Sequence, residues 1–399
     1  MNSPSDGPRL TPLGRAFIFL FVIGCITGAV FLFMGKRSFF DAKNSVASLL
    51  SPAPQVEIGI AYGTEKQQWL EWAVSQFAKM PEGKRIKINL MPMGSLESAQ
   101  ALLHGDHRIN VWAPASATYK DTFVREWQQR YNENPILREQ ALALTPMVFV
   151  IWDERYQAFS RKHQTLSFDS VNQALQEKGG WDDIAHHPEW GNFKFGLANP
   201  TQSNSGLTMI ILAAYTYHHK TRNLTTLNIQ NPEFQRWLEE FEHGASGVSN
   251  STGNLMQEMI LKGPSSYDAL FVYESSAIES LASAEGRWGK LRIVYPEYNL
   301  WNENPYYIIN TTWSSSDQRK AANVFLNFLQ SEPVQKEALR HGFRPASPSV
   351  PVKGPESPFI QFAGNGISVD LAKVCEPAKE DIVEKLLASW RRAQATDKE

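Results

Sequence analysis

The spacing of hydrophobic and polar residues changes period several times along this chain, and each change marks an element. Residues 16–35 show no polar period at all: the run from Ala16 to Gly35 is uncharged and rich in Phe, Leu, Ile and Val. As a helix it would reach about 30 Å, the thickness of a bilayer's hydrocarbon core, with every backbone group bonded internally. Val56 to Ala61 then alternates like a strand, and between Glu65 and Ala78 the residues Trp69, Trp72, Ala73, Val74 and Phe77 recur on one helical face. A second unit follows, with a strand at Ile86 to Leu90, the turn Met93-Gly94-Ser95, a helix from Leu96 to His104 and a short strand at Asn110 to Trp112. Strands and helices alternating in this way predict a parallel sheet with helices on both faces.

Leu142 to Trp152 is apolar, β-like and interrupted by Pro146, long enough to leave one sheet and enter another. A strand at Lys194 to Leu197 leads through the loop Asn199 to Gly206 into an apolar helix beginning near Leu207, which Ser205 or Asn204 could cap. Ala269 to Tyr273 reads as a strand ending in Glu274-Ser275-Ser276, with a helix from Ala277 to Ala284, and Leu291 to Tyr295 heads toward a second crossing. Ala321, Ala322, Val324, Phe325, Phe328 and Leu329 form a helical stripe, and the helix from Val334 to His341 is stopped by Gly342. Pro345, Pro348, Pro351, Pro355 and Pro358 suit an extended strap, and Ile382 to Arg392 reads as a final amphipathic helix.

Roughly 360 residues follow the apolar run, too many for one ordinary core, so two lobes are expected. The division is a tail at 1–15, an anchor at 16–35 and a tether at 36–54 that ends in Ser51-Pro52-Ala53-Pro54. Residues 55–146 begin lobe 1, 147–292 make lobe 2, 293–346 complete lobe 1, and 347–399 form the strap and last helix. Arg9 and Arg15 precede the apolar run and Lys36 and Arg37 follow it, a balance that gives no orientation. Its unbroken length suits a retained anchor better than a cleaved signal peptide. Val22-Ile23-Gly24-Cys25 offers a competing reading as a lipoprotein processing box that would remove residues 1–24 and lipidate Cys25. Either way the chain is attached to a membrane. The 39 basic and 41 acidic residues leave a formal charge of −2, which argues against nucleic-acid partners. Only Cys25 and Cys375 are present, so the part beyond the anchor holds no internal disulfide.

Candidate chemistry gathers where strands end. Gly63 with Thr64, Gly94 with Ser95, Ala115 with Ser116, Ser203-Asn204-Ser205 and Glu274-Ser275 are the five such loops. Ligands collect beyond the carboxyl ends of such strands, and neutral hydroxyls or amides beside a helix start suit an oxyanion or carboxylate. Any one loop alone reads more readily as an ordinary cap or turn, and it is the five together, at equivalent ends of two sheets, that point to a site. Glu274 would repel an anion unless paired or turned away, which leaves cationic, amine-bearing and hydroxyl-rich ligands open. Trp112 could stack on a sugar or anchor the packing. The pairs His186-His187 and His218-His219 diverge too far on a helix to chelate one ion and read as surface or capping residues. No phosphate loop, nucleophile elbow or catalytic acid pair occurs, so no enzyme, cofactor or metal is expected.

The order of Val111-Trp112-Ala113-Pro114-Ala115-Ser116, the loop Asn199 to Gly206, Tyr267-Asp268-Ala269 to Glu274-Ser275, Leu291 to Pro296, Ala321-Ala322 with Phe325-Leu326, and Gly342-Phe343-Arg344-Pro345 resembles the bacterial extracellular solute-binding proteins of the type II periplasmic-binding class, in particular the molybdate- and sulfate-binding-like branch. Some relatives add a von Willebrand A domain, whose Asp-x-Ser-x-Ser motif this chain lacks. The resemblance implies two α/β lobes joined by two crossing strands, with a small polar or anionic solute held between them. It also implies a single-pass protein of the inner membrane whose folded part faces the periplasm and serves an ABC-type transporter permease or a sensor. The competing reading keeps the bilobed fold as a scaffold for a protein partner at the membrane.

Overall fold

A computed structural model describes residues 55–396 together with Phe21 and Val22. Residues 1–54 and 55–399 form separate units. Apart from Phe21 and Val22, the expected anchor and tether lie outside the described residues, and among those described no helix is long and apolar enough to cross a membrane.

In chain order the first lobe begins with β1 (Val56–Tyr62), α1 (Gln67–Phe77), β2 (Ile86–Pro92), α2 (Ser95–Leu103), β3 (Val111–Ala113), α3 (Lys120–Tyr131) and β4 (Ile136–Ala141). Through the short β5 (Ala143–Leu144) the chain enters the second lobe at β6 (Met147–Trp152). There follow α4 (Asp153–His163), α5 (Phe168–Gln176), α6 (Trp181–Ala185), β7 (Phe195–Ala198), α7 (Asn204–Tyr217), α8 (Thr226–Ile229) and α9 (Pro232–Gly244). The lobe closes with β8 (Gly247–Ser249), α10 (Thr252–Lys262), β9 (Ala269–Tyr273), α11 (Glu274–Glu285) and β10 (Leu291–Val294). The chain returns by β11 (Tyr298–Asn299) to β12 (Pro305–Ile309), α12 (Ser316–Leu329) and α13 (Glu332–Arg340). Beyond β13 (Arg344–Pro345), the strap contains α14 (Pro358–Gln361) and β14 (Lys373–Val374) and ends in α15 (Glu380–Thr396).

Each lobe is built on a five-stranded sheet, ordered β2-β1-β3-β12-β4 in the first and β10-β6-β9-β7-β8 in the second. Neither is wholly parallel, contrary to the expectation from the alternating pattern. β12 runs antiparallel to β3 and β4, and β6 antiparallel to β9 and β10. The reason is connectivity: parallel pairing needs a helical crossover, whereas a chain that passes directly between lobes arrives in the opposite sense. β6 reads Met-Val-Phe-Val-Ile-Trp because helices cover both of its faces. Val148 and Val150 point toward α10 and α11, whereas Phe149 and Ile151 point into the opposite cluster with α5 and α7. Lobe 1 divides likewise, with Ile58 and Ile60 under α1, α12 and α13, and Ala61 and Trp112 under α2 and α3.

The crossings run side by side. Thr145 and Asn302 exchange backbone hydrogen bonds of 2.9 and 3.0 Å, and β13 pairs with β5. Three asparagine amides staple the second crossing to the first: Asn299 donates to the Met147 carbonyl at 2.7 Å, Asn302 to that of Thr145 at 3.1 Å, and Asn304 to that of Ala143 at 3.2 Å. Gly342 sits at φ +77° after α13, the left-handed conformation that ends a helix most readily in glycine.

Candidate functional site

The strand-end loops of the two lobes meet across one seam. Ser203, Asn204 and Ser205 begin α7 from the second lobe, and the helix starts at Asn204 rather than near Leu207, with Ser203 at the capping position. Asn204 is buried and stands at the centre of a polar network. Its amide nitrogen donates to the Tyr273 hydroxyl at 3.0 Å and to Asn302 Oδ1 at 2.9 Å, while its Oδ1 accepts from the Ser116 hydroxyl of lobe 1 at 2.6 Å. Ser205 is bonded to Ser203 at 3.1 Å and to Thr252 at the start of α10 at 2.5 Å. Burial pushes the Tyr273 phenol well above its usual pKa, so it stays a neutral donor and acceptor.

The first lobe's loops are already occupied. At the start of α2, the N–H groups of Leu96 and Glu97 both donate to the Gln202 carbonyl of lobe 2, at 3.0 and 3.3 Å. A backbone carbonyl therefore stands where the sequence suggested a ligand oxygen. Gly94 permits this approach, since a Cβ built on it would lie 2.4 Å from Gln202 O. Ser95 accepts from the Ala115 N–H at 3.1 Å, and Thr64 Oγ1 accepts from the Gly253 N–H of lobe 2 at 3.2 Å. Gly63 donates to the Ala113 carbonyl at 3.2 Å. Ala115 and Ser116 precede α3 by several residues, so they form a loop and not a helix start.

Three predicted site residues turn elsewhere. Glu274 opens α11 itself and is buried in a fork with Arg344, whose Nε and Nη2 reach its two oxygens at 2.8 and 2.7 Å. Burial raises the Glu274 pKa above the ordinary carboxylate value against the opposing pull of Arg344. The sequence raised this escape from anion repulsion, and Arg344 is the partner that supplies it. Its neighbour Ser275 donates its N–H to Thr145 Oγ1 at 3.1 Å, at the crossing. Trp112 is fully buried between Phe123 and Tyr307, with ring centroids 4.8 and 5.1 Å away, and its indole donates to Ser98. It anchors packing and offers no face to a sugar. Among the histidines, His187 stacks on Trp190 and the His218 ring bonds the Asn228 carbonyl.

Sequence reasoning missed a buried ion pair beside the seam, Lys66 with Glu65. Lys66 is fully buried, is bonded to Glu65, and also reaches Asn304 Oδ1 at 3.0 Å and the Pro114 carbonyl at 3.3 Å. The three hydrogens of the ammonium thus have three acceptors. Burial lowers the Lys66 pKa, with Glu65 pulling the other way. Asn302 and Asn304 were also missed, although Asn299, Asn302 and Asn304 fall close together at a predicted crossing, a signal that such amides have backbone to satisfy. A cavity of about 580 Å³ opens along the seam between Thr64–Gln68 of lobe 1 and helices α10 and α11 of lobe 2.

The arrangement is therefore a bilobed frame with hydrogen-bonding loops converging between lobes and, among the described residues, no assembled nucleophile or base. Solved structures share the fold. The sulfate-binding protein SubI from Mycobacterium tuberculosis H37Rv is 15% identical, with a TM-score of 0.53 over 86% of this chain and 99% of that one. A periplasmic thiamin binding protein is 11% identical, with a TM-score of 0.57 over 86% and 98%. Iron-bound HitA from Pseudomonas aeruginosa is 12% identical, with a TM-score of 0.56 over 85% and 99%. Identities this low show a common fold. No curated protein sequence matches the chain. The sequence pattern of the bacterial extracellular solute-binding proteins does match, over residues 58–344, which takes in both lobes and both crossings, and the chain belongs to that family.

Proposed function

We propose that this protein is a membrane-attached solute receptor, held by its N-terminal apolar run with residues 55–399 outside the cytoplasm. It captures a small polar molecule between its lobes and presents it to an ABC-type transporter permease or a sensor. The observation that carries this is the convergence of Thr64, Ser95, Ser116, Asn204, Ser205 and Thr252 from both lobes on one seam hinged by two adjacent crossings. A solute that touches both lobes stabilises the closed form by its differential contacts with it. Sulfate, thiamin and iron are bound by proteins of this fold, so the fold supports capture without naming the solute.

A second reading, a scaffold that binds a protein partner and no solute, draws on the hydrogen bonds by which the seam closes on itself, above all Gln202 against α2. One experiment separates the two. Calorimetry against oxyanions, amino acids, polyamines and oligosaccharides should give heat from one class. Silence from all classes would leave the scaffold.

A further inference from the structure

We infer that the solute is a neutral, hydroxyl-rich small molecule, and that it is held in the cavity flanking the seam between the Thr64–Gln68 turn and helices α10 and α11. This rests on the solute-capture reading and adds a place and a chemical class to it.

The place follows from what is already filled. The centre of the seam is occupied by Asn204, Ser116 and Tyr273 bonded to one another, and by Lys66 with Glu65. On the face of the sheets that carries α2 and α3, the last helix fastens the lobes together. α15 buries Ile382, Val383, Leu386 and Trp390 in a cluster shared with α7 and α9 of lobe 2. It also pairs with lobe 1, where Arg125 of α3 reaches Glu380 at 2.5 Å and also pairs with Glu384. α1, α10 and α11 lie on the opposite face, free of α15, and there the two lobes stand apart enough to leave about 580 Å³. That volume lies within the roughly 300–1,000 Å³ of small-molecule sites.

The class follows from the walls. Three charged side chains border the cavity: Glu65 is bonded to Lys66, Glu279 to His341 at 2.5 Å, and Arg287 lies at the exposed rim. Both carboxylates thus have hydrogen-bonding partners within the fold. What remains is neutral: the amides of Gln67, Gln68 and Gln257, and the hydroxyls of Ser276 and Ser280. Ser276 is 94% buried, being 6% exposed, and its hydroxyl has no hydrogen-bond partner, a state that buried polar groups rarely keep. Its Oγ is shut off from solvent in this rotamer, so a ligand hydroxyl satisfies it once the side chain turns to the cavity. Opposite lie Met256 and Ile260, an apolar wall suited to the C–H face that a polyol or sugar ring presents. A multiply charged oxyanion or polyamine would find no unpaired buried counter-charge there.

The test is calorimetry of the full chain with glucose, maltose and myo-inositol as neutral probes, and sulfate, glutamate and spermidine as charged ones. The wild type is compared with Gln257→Trp, an exposed helix position where the larger side chain fills the cavity, and with Ser276→Ala. At least one neutral probe should bind. Its affinity should fall tenfold or more in Gln257→Trp and severalfold in Ser276→Ala, while ligand-free Ser276→Ala melts no lower than wild type because its hydroxyl has no bond to lose. Binding by charged probes alone, or neutral binding that Gln257→Trp leaves unchanged, overturns the inference and leaves solute capture standing. Silence from every probe removes both.

Discussion

Replacing Lys66 by Met tests whether its ion pair beside the seam is shielded from water. In the structure the Lys66 side chain is wholly buried and Glu65 is 7% exposed, so the substitution strands a carboxylate, the Asn304 oxygen and the Pro114 carbonyl without their donor. Breaking a buried ion pair on one side costs about 3–5 kcal/mol. With an unfolding entropy of about 2.1 cal/mol/K per residue, a unit of this size should lose about 4–7 °C in melting temperature. Substituting both partners, Lys66→Met with Glu65→Leu, should recover most of that loss, because an apolar pair replaces a desolvated ionic one. Thermal unfolding of the two single variants, the double variant and the wild type closes the cycle. A single variant costing under about 1 kcal/mol would refute the reasoning, since a pair so weak is solvated. A double variant as unstable as the sum of the singles would show that the two residues do not act as a pair.

Gly94→Ala places a methyl 2.4 Å from Gln202 O at an ordinary φ of −60°, so its effect is purely steric. It should wedge the lobes, raising the radius of gyration in scattering and costing about 1–3 kcal/mol; an unchanged scattering curve counts against the closed seam. Arg344→Met leaves Glu274 buried without its fork and should cost about 3–5 kcal/mol by urea unfolding. Arg344→Lys should recover only part, because an ammonium cannot match both carboxylate oxygens. Burial depresses His163 and His218 below the ordinary 6.5. Between the depressed value and 6.5 the unfolded chain therefore binds more protons, and stability falls as pH drops below 6.5. The urea midpoint should decline from about pH 7.5 to about pH 5.5, and less steeply when both residues are Gln.

Residues whose partners lie nearby in sequence were legible. The stripe Trp69, Ala73 and Phe77 is buried as its spacing implied, Gly342 ends its helix, and the segment around Pro146 leads from one sheet into the other. Two helix starts were placed three residues late, at Leu207 for Asn204 and Ala277 for Glu274, because neither helix has a side-chain cap to announce it. β4 escaped notice because Ile136-Leu137-Arg138-Glu139-Gln140-Ala141 is an edge strand with polar residues interspersed along it. At the candidate site the loops themselves were legible and their use was not: Trp112 packs, Glu274 pairs with Arg344, and the α2 amides are taken by Gln202.

Local periodicity thus determined the elements and their order, since burial of one face per strand or helix leaves its mark within a few residues. What lies between the lobes was decided only in three dimensions. Lys66 meets Asn304 across 238 positions, and Ser116 meets Asn204 across 88. Such contacts leave no periodic trace in the chain, because a buried polar group needs one partner in space and any remote donor or acceptor of the right geometry can supply it.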